Sequence, residues 1–338
     1  MAGSTIYDIA REAGVSIATV SRVMNKNEGI SDKTRKKVLE VADELGYHPQ
    51  AYAQGLARKE KNLIMVVVPV LSNYFFMEVL AGIQDEMSNY HYDLNIFNIQ
   101  SNGGNMFDQV ENIIKRQLAD GYLFISTHLR NKQLKKLESY DAPITLIDEK
   151  YPGINSVSVD NGKGIQLAMQ YFLKRGLRRV GMISALKSSK PGEQRISGYK
   201  KALKQAGVKI DEKLIVTGDS FYRDGFSELN GYEAMNKLLK LSNPPEACFC
   251  SSDIQAVGAL KAMREMKMHI PVIGYDDITI SNYIGLSTIH QPMYDMGTYA
   301  TRKLIQQMQN PQLSPKQKIF QPKLVLRSST EMDELEEF

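Results

Sequence analysis

The 338-residue chain is short of several things, and each shortage narrows what the protein can do. It has two cysteines, Cys248 and Cys250, set two apart in ACFCSS, a stretch that reads as a strand whose alternate residues share a face. Two thiols are too few for a disulfide framework or a four-ligand zinc site, so both are expected as buried packing residues. The five histidines (His48, His91, His128, His269 and His290) show no ligand spacing, and HExxH, GxGxxG and GxSxG are absent. The one Gly-Lys pair, Gly162–Lys163, has Val157 where a phosphate-binding loop needs its first glycine. No catalytic residue, metal ligand or cofactor is therefore expected. No apolar run approaches the roughly eighteen residues of a membrane span, and Met1–Ala13 already carries Asp8, Arg11 and Glu12, unlike a secretory leader. A cytoplasmic protein without a membrane partner is expected. Strong charge is lacking too: 42 Lys and Arg against 38 Asp and Glu leave +4, too little by itself to announce a nucleic-acid partner.

What is present falls into unequal parts. Apolar residues at 43% and charged residues at 24% are ordinary for a globular chain, and the length suggests two or three domains. Thr5 and Asp8 have capping-box spacing, and Ile6, Ile9, Ala10 and Ala13 recur at helical intervals, which predicts a short amphipathic helix. Gly14 supplies a turn, and Ser16 can cap a second helix carrying Val20, Val23 and Met24 on one side. After Asn25–Ile30, Ser31 can cap a third helix with Val38, Val41, Ala42 and Leu45, ended by Gly46. Three short helices around one small core, two of them joined by a glycine turn, make the helix-turn-helix pattern.

The second helix carries the chemistry. With Val20 and Val23 inward, Ile17, Ala18, Ser21, Arg22 and Asn25 form one outward stripe. A major groove offers each a partner: guanine for Arg, adenine for Asn, thymine methyls for the apolar side chains. Ser16, Thr19 and the helix N-terminus can meet phosphates. An ordinary exposed helix face with one surface arginine fits the stripe equally well.

The run TIYDIAREAGVSIATVSRVMN, Thr5–Asn25, resembles the opening of the lactose-repressor/galactose-repressor (LacI/GalR) family nearly residue for residue. The resemblance implies DNA binding, with Ile17, Ala18 and Arg22 as the main base-reading positions. Thr5, Tyr7 and Tyr47 complete the expected contact surface. GYHPQAYAQGLARK, Gly46–Lys59, continues the likeness. Its helical part is about two turns, too short to be stable alone, and a flexible linker is the alternative. In the resembled family this hinge helix enters the minor groove as a dimer pair. Ala53 would lie along that contact, and Leu56 would be the wedge between central base pairs.

From Asn62 the periodicity changes. LIMVVVPV, Leu63–Val70, suits a strand buried on both faces. Strand-like segments recur at Leu94–Ile99, Tyr122–Ile125, Ile144–Ile147 and Val157–Val159, then at Val180–Ile183, Leu214–Val216, Ala247–Cys250 and Val272–Gly274, mostly separated by helical stretches. Such alternation predicts doubly wound parallel sheets in two lobes, with ligands favoured at strand C-termini and in the cleft. The resemblance covers nearly the whole chain and implies a periplasmic-binding-protein-like (type I) core. Expected boundaries are a DNA-binding domain at 1–60 with its hinge helix at about 50–58, and an effector-binding and dimerisation domain at 61–330. Its first lobe would take 61–160 and 290–316, its second 161–289 and 317–330, with an acidic tail at 331–338. A periplasmic-type sugar carrier would share the lobes but not residues 1–60.

The same resemblance nominates effector contacts. LSNYFF suggests Phe75 and Phe76 as aromatic walls, VDNGKGI marks a crossing between lobes, and RISGYKKAL carries the family's ligand-binding arginine as Arg195. SSDIQAVGAL places Asp253 in the family's Asn-Asp pair with Ser252 replacing the Asn, and IGYDD supplies Asp276. Asp148 and Phe221 join on similar grounds. Carboxylates accept hydroxyls, arginine donates in a fork and aromatic faces cover C–H surface, which suits a small carbohydrate-type effector. For single residues bland roles compete: Asp253 could cap a helix starting at Ile254, and Phe75 or Phe76 could be core. STIHQPMYDMGTYATRKL and LRSST look closer to the catabolite control proteins, which answer to a serine-phosphorylated phosphocarrier protein. Arg302 would then be the phosphate-binding arginine. The expectation is a dimeric repressor of a near-palindromic operator. Charge hides this: residues 1–61 hold ten Lys and Arg against eight acids, and EMDELEEF at the end holds five acids and no base.

Overall fold

The computed structural model describes residues 4–24, 29–47, 61–69, 74–99, 105–186, 190–219 and 225–331. Asn25, the expected hinge helix at 50–58 with Ala53 and Leu56, Phe221 and residues 332–338 of the acidic tail lie outside them. Two compact units divide the chain. The changeover falls at Leu63–Ile64, where 60–61 was expected, and Leu118–Asp120 group with the first unit.

The first unit contains α1 (Ile6–Ala13), α2 (Ile17–Met24) and α3 (Asp32–Glu44). Each begins at a polar cap that meets amides the helix itself leaves open. Asp8 N–H donates to Thr5 Oγ1 at 3.4 Å while Thr5 N–H donates to the Asp8 carboxylate at 2.9 Å. Ser16 Oγ accepts from Thr19 N–H at 3.1 Å, and Ser31 Oγ from Thr34 N–H at 3.3 Å. Gly14 ends α1 at φ +62°, in the left-handed region that side chains disfavour. The buried set is Ile9, Ala10, Ala13, Val20, Val23, Val38, Val41 and Ala42, with Ile6, Met24 and Leu45 packed partly buried against it. Helical periodicity alone predicts that core.

The second unit contains strands β1 (Leu63–Val68), β2 (Asp93–Asn98), β3 (Gly121–Ile125), β4 (Ile144–Ile147), β5 (Asn155–Val159), β6 (Val180–Ile183), β7 (Ile215–Val216), β8 (Ala247–Cys250), β9 (Val272–Asp276), β10 (Ser287–His290), β11 (Gln317–Phe320) and β12 (Lys323–Val325). Among them run α4 (Tyr74–Met87), α5 (Met106–Lys115), α6 (Asn131–Glu138), α7 (Asn161–Lys174), α8 (Lys190–Gln205), α9 (Glu228–Leu239), α10 (Asp253–Met266), α11 (Thr279–Tyr283) and α12 (Met293–Gln309). They build two six-stranded sheets, ordered β11-β5-β4-β3-β1-β2 and β12-β10-β9-β8-β6-β7. The pairings β1–β3, β3–β4, β4–β5, β5–β11, β6–β7, β6–β8, β8–β9 and β9–β10 are parallel, and β10–β12 is antiparallel. β1 is buried from Ile64 to Val68, as its unbroken apolar run requires, whereas β2 is an edge strand that leaves Leu94 and Ile96 exposed. Cys248 and Cys250 are free and buried on β8.

Two expected boundaries need correcting: His290, expected in the first lobe, ends β10 and pairs with Asp276 of β9 in the second sheet. Residues 317–320 were assigned to the second lobe, but β11 pairs in register with β5 of the first sheet, Gln317 opposite Ser156 and Phe320 opposite Val159. The backbone bonds Ser156 N–H to Lys316 O and Asp160 N–H to Phe320 O extend that ladder at both ends. The chain therefore crosses between lobes at Asp160–Asn161, at Gln291–Pro292 and at Gln321–Pro322.

In the first lobe α4 and α12 pack with their backbones in close approach. A Cβ on Gly82 would lie 2.0 Å from the Tyr294 carbonyl oxygen, and one on Gly297 would lie 2.1 Å from that of Val79. Backbone cannot swing aside as a side chain can. Gly297→Ala is expected to cost about 1–3 kcal/mol or more, the range for overpacking, read from the urea midpoint. Unaltered stability would mean that the two helices separate freely.

Candidate functional site: an exposed helix face and an interlobe cleft

In the first unit the chemistry sits on α2. Val20 and Val23 point into the core, so the residues beside them are left outside: Ile17 is 42% exposed, and Ala18 and Arg22 are exposed with it. Ser21 is half-buried. Ser16 and Thr19 share a hydroxyl hydrogen bond of 2.9 Å at the open N-terminus of the helix. Tyr7 is exposed on α1, whereas Tyr47 packs against the small core. Thr5 is committed to its cap: its hydroxyl donates to Asp8 at 2.7 Å, and these bonds hold the Asp8 carboxyl below its ordinary value.

In the second unit the strand ends converge on a buried arginine. Arg195, on α8, is 5% exposed. Its Nη1 donates to the Ser251 carbonyl and its Nη2 to Asn161 Oδ1 at 3.5 Å, while Asp276 Oδ1 lies 4.0 Å from Nη2. The guanidinium carbon stands 3.8 Å from the centre of the Tyr275 ring, a cation–π contact that helps hold a charge out of water. Tyr275 Oη donates to Asn161 Oδ1 at 3.1 Å, and Asn161 Nδ2 donates to Gln194 Oε1 at 3.0 Å. Gln291 Nε2 donates to Asp276 Oδ1 at 2.6 Å, and Ser126 Oγ donates to Asp148 at 2.8 Å. Asp276 and Asp148 have φ of +124° and +62°, conformations that cost energy in non-glycine residues and cluster at functional sites. Burial pushes the Asp276 carboxyl up to about 8, against the pull of Arg195. Beside this network opens a cavity of about 470 Å³, walled in part by Asp148, Asp160, Asn161 and Gln194.

Several nominated residues sit elsewhere. Phe76 is buried in the first-lobe core with Val79 and Ile83, and Phe75 meets it edge-on at 5.7 Å from partly buried ground. Phe76 is thus core and not an effector wall. Asp253 is fully buried: Oδ2 accepts from Ile278 N–H at 3.0 Å and Ser281 Oγ at 2.7 Å, and Oδ1 accepts from Thr288 Oγ1 at 2.5 Å. It staples three segments of the second lobe and has no face toward the cleft. The helix cap is Ser252, whose Oγ accepts from Gln255 N–H at 3.2 Å. Arg302 grips Glu86 through Nε at 3.0 Å and Nη2 at 2.8 Å, so the fork proposed for a phosphate already holds a carboxylate. Sequence reasoning missed Asn161, Gln194, Tyr275 and Gln291 as site residues. The crossing motif VDNGKGI contained Asn161, but an amide carries no signal until its partners are known. Among the described residues no group of three or more His, Cys, Asp or Glu could hold a metal ion, and no helix is long and apolar enough to cross a membrane.

A capped three-helix unit with an exposed reading face, joined to two parallel-sheet lobes around a polar cleft, defines a ligand-responsive DNA-binding regulator. Comparison with known proteins agrees. Residues 5–50 match the lacI family of bacterial regulatory proteins and residues 169–330 a periplasmic binding protein-like domain. Catabolite control protein A of Priestia megaterium is 34% identical over 90% of this chain and 92% of its own. The crystal structure of the lac repressor dimer bound to operator and the anti-inducer ONPF aligns at TM-score 0.79 and 26% identity, covering 97% of this chain and 99% of that one. The transcriptional regulator CelR in complex with cellobiose aligns at TM-score 0.70 and 25% identity, covering 96% and 99%. The chain belongs to the lacI family of bacterial regulatory proteins. It is a transcription regulator with a helix-turn-helix unit and a periplasmic-binding-protein-like effector core.

Two outcomes follow from the buried carboxyls. Asp253→Ala leaves three buried donors without an acceptor and should destabilise the chain by about 3 kcal/mol or more, measured by urea unfolding; a loss under about 1 kcal/mol would overturn the staple. Because the folded Asp276 carboxyl holds its proton more tightly than the unfolded one, the native state binds more protons between about pH 4 and about pH 8. Its contribution to stability therefore falls as pH rises through that window. Asp276→Asn should flatten the slope of unfolding free energy against pH there, and an unchanged slope would assign the linkage to other groups.

Proposed function

We propose that two copies of the chain bind a near-palindromic operator as a repressor, each laying α2 in the major groove. The observation that carries this reading is the division of α2, with Val20 and Val23 buried and Ile17, Ala18 and Arg22 exposed opposite them. Arg22 suits the N7 and O6 acceptors of guanine, and Ile17 and Ala18 suit thymine methyls. Ser16, Thr19 and the α2 N-terminus meet phosphates, flanked by Tyr7 and Ser21. Thr5 and Tyr47 act by shaping the unit. Asn25, Ala53 and Leu56 extend the contact, Leu56 as a minor-groove wedge. Likeness to a dimeric operator-bound repressor supports the two-copy arrangement. The protein works in the cytoplasm, beside its DNA, and turns over no substrate.

The effector is a small carbohydrate held by Arg195, Asp276 and Asp148. A buried guanidinium and paired acids recognise hydroxyls without calling for a charged ligand. Its binding favours one lobe arrangement over another, and only a difference in affinity between the two can shift operator binding. A second reading, regulation by a serine-phosphorylated phosphocarrier protein, is favoured by the likeness to catabolite control protein A. It requires Arg302, whose side chain is 50% exposed, to exchange Glu86 for phosphate. Addition of the phosphorylated partner to operator-binding assays separates the two readings.

Selection of operators from random duplexes, followed by gel-shift titration, tests the main reading. Arg22→Ala should cost about 1–3 kcal/mol at one base pair of each half-site and relax base choice there. A uniform loss over all sequences would make Arg22 a phosphate contact, and failure to enrich any sequence would sink the operator reading.

A further inference from the structure

One carboxylate holds the backbone where the chain passes from the first unit into β1. Asp120, the residue before β3, groups with the first unit as Lys61 and Leu63 do. Its Oδ1 accepts from Lys61 N–H at 2.9 Å, and its Oδ2 accepts from Lys61 N–H and Leu63 N–H, each at 3.0 Å. Asp120 N–H in turn donates to Leu63 O at 2.8 Å. Between the two held amides Asn62 has φ +52°, a left-handed conformation that asparagine tolerates and most side chains do not. A turn of this kind makes a concavity of backbone N–H groups that suits an anion. Bonds from amides to a charged acceptor are also roughly twice as strong as neutral ones.

The sheet does not need this arrangement. The β1–β3 ladder begins one residue further on, with Ile64 opposite Gly121, and runs to Val67 opposite Phe124 without the Asp120 side chain. What the carboxylate fixes is the point from which the chain runs back toward the helix-turn-helix unit. Reach decides whether that matters. Each freed residue adds up to about 3.3–3.6 Å of extended chain, so releasing Lys61 and Asn62 adds up to about 7 Å per copy. One base pair of duplex rises about 3.4 Å. Two released residues therefore exceed the step from one half-site spacing to the next, and a chain that tells neighbouring spacings apart needs them held.

We propose that Asp120 is a positioning residue for operator binding: by clamping Lys61–Leu63 it sets which half-site spacing two copies accept. It touches no base and acts through the backbone it holds. The inference rests on the operator reading above and adds to it a residue away from the α2 face.

Gel-shift titration of the full chain tests it, using the selected operator and versions with one or two base pairs added to or removed from its centre. The native chain should lose about tenfold or more in affinity for each base pair of change. Asp120→Ala removes both acceptors; its best affinity should fall about tenfold and its profile should flatten to about threefold per base pair or less. Asp120→Asn keeps one neutral acceptor and should fall between the two. Asn62→Val keeps the carboxylate but makes the left-handed turn costly, and should flatten the profile as well; it carries the test if Asp120→Ala does not fold. Arg22→Ala should lower affinity while keeping the profile steep, which separates a lost contact from lost placement. Urea unfolding and sedimentation identify the variants that are folded and associated as the native chain is. A folded Asp120→Ala or Asn62→Val chain with a profile as steep as the native one would overturn the anchor and leave the operator reading in place, as would a native chain indifferent to spacing. A native chain that enriches no sequence would overturn both.

Discussion

A guanidinium cannot surrender its proton, so an arginine buried to 5% exposure dictates what surrounds it. Arg195 imposes that demand on the second unit. The Ser251 carbonyl, at the end of β8, turns to one of its nitrogens, and Asn161, at the first lobe crossing, turns to another. The Tyr275 ring lies under its plane, and Asp276 closes the end of β9 in a backbone conformation that a free chain avoids. Each of these groups is tied onward. Asp276 is tied to Gln291 at the second crossing, and Asn161 to Gln194 and Tyr275. The arginine thus couples the strand ends of one lobe to the places where the chain passes to the other.

Adjacent acids divide this labour. Asp276 lies beside Arg195 and Gln291, where burial raises its carboxyl. Asp277, one residue on, binds Arg327 at 2.8 Å and His290 at 3.0 Å, and those partners hold it below its ordinary value. Neighbours in sequence therefore carry opposite electrostatic tasks because the left-handed turn between them sends their side chains to different surroundings.

How much was legible beforehand follows from how each element is stabilised. The three-helix unit was readable almost in full, because caps, a glycine turn and helical periodicity are local and agree with one another. The buried strands β1, β3, β4, β6 and β8 were readable from continuous apolar runs. β10, β11 and β12 were not: none is a continuous apolar run, and β11 and β12 are held by ladders to strands distant in sequence. Mistaking 317–320 for second-lobe chain came from that blindness to non-local pairing. In the cleft, the family resemblance pointed to Arg195 and Asp276, but Asn161, Gln194 and Gln291 are amides whose roles exist only through their partners. Asp253 misled for the opposite reason. An acid near a strand end looks like a ligand contact until three internal donors are found on it.

The small net charge of the chain takes its meaning from this placement. Non-specific DNA binding scales with the number of phosphates neutralised, whereas base choice depends on a few side chains held at groove spacing. A nearly neutral unit with one arginine on a capped, rigid helix gives up the first to favour the second. The sum of charges along the chain therefore says little about where its charged side chains are placed.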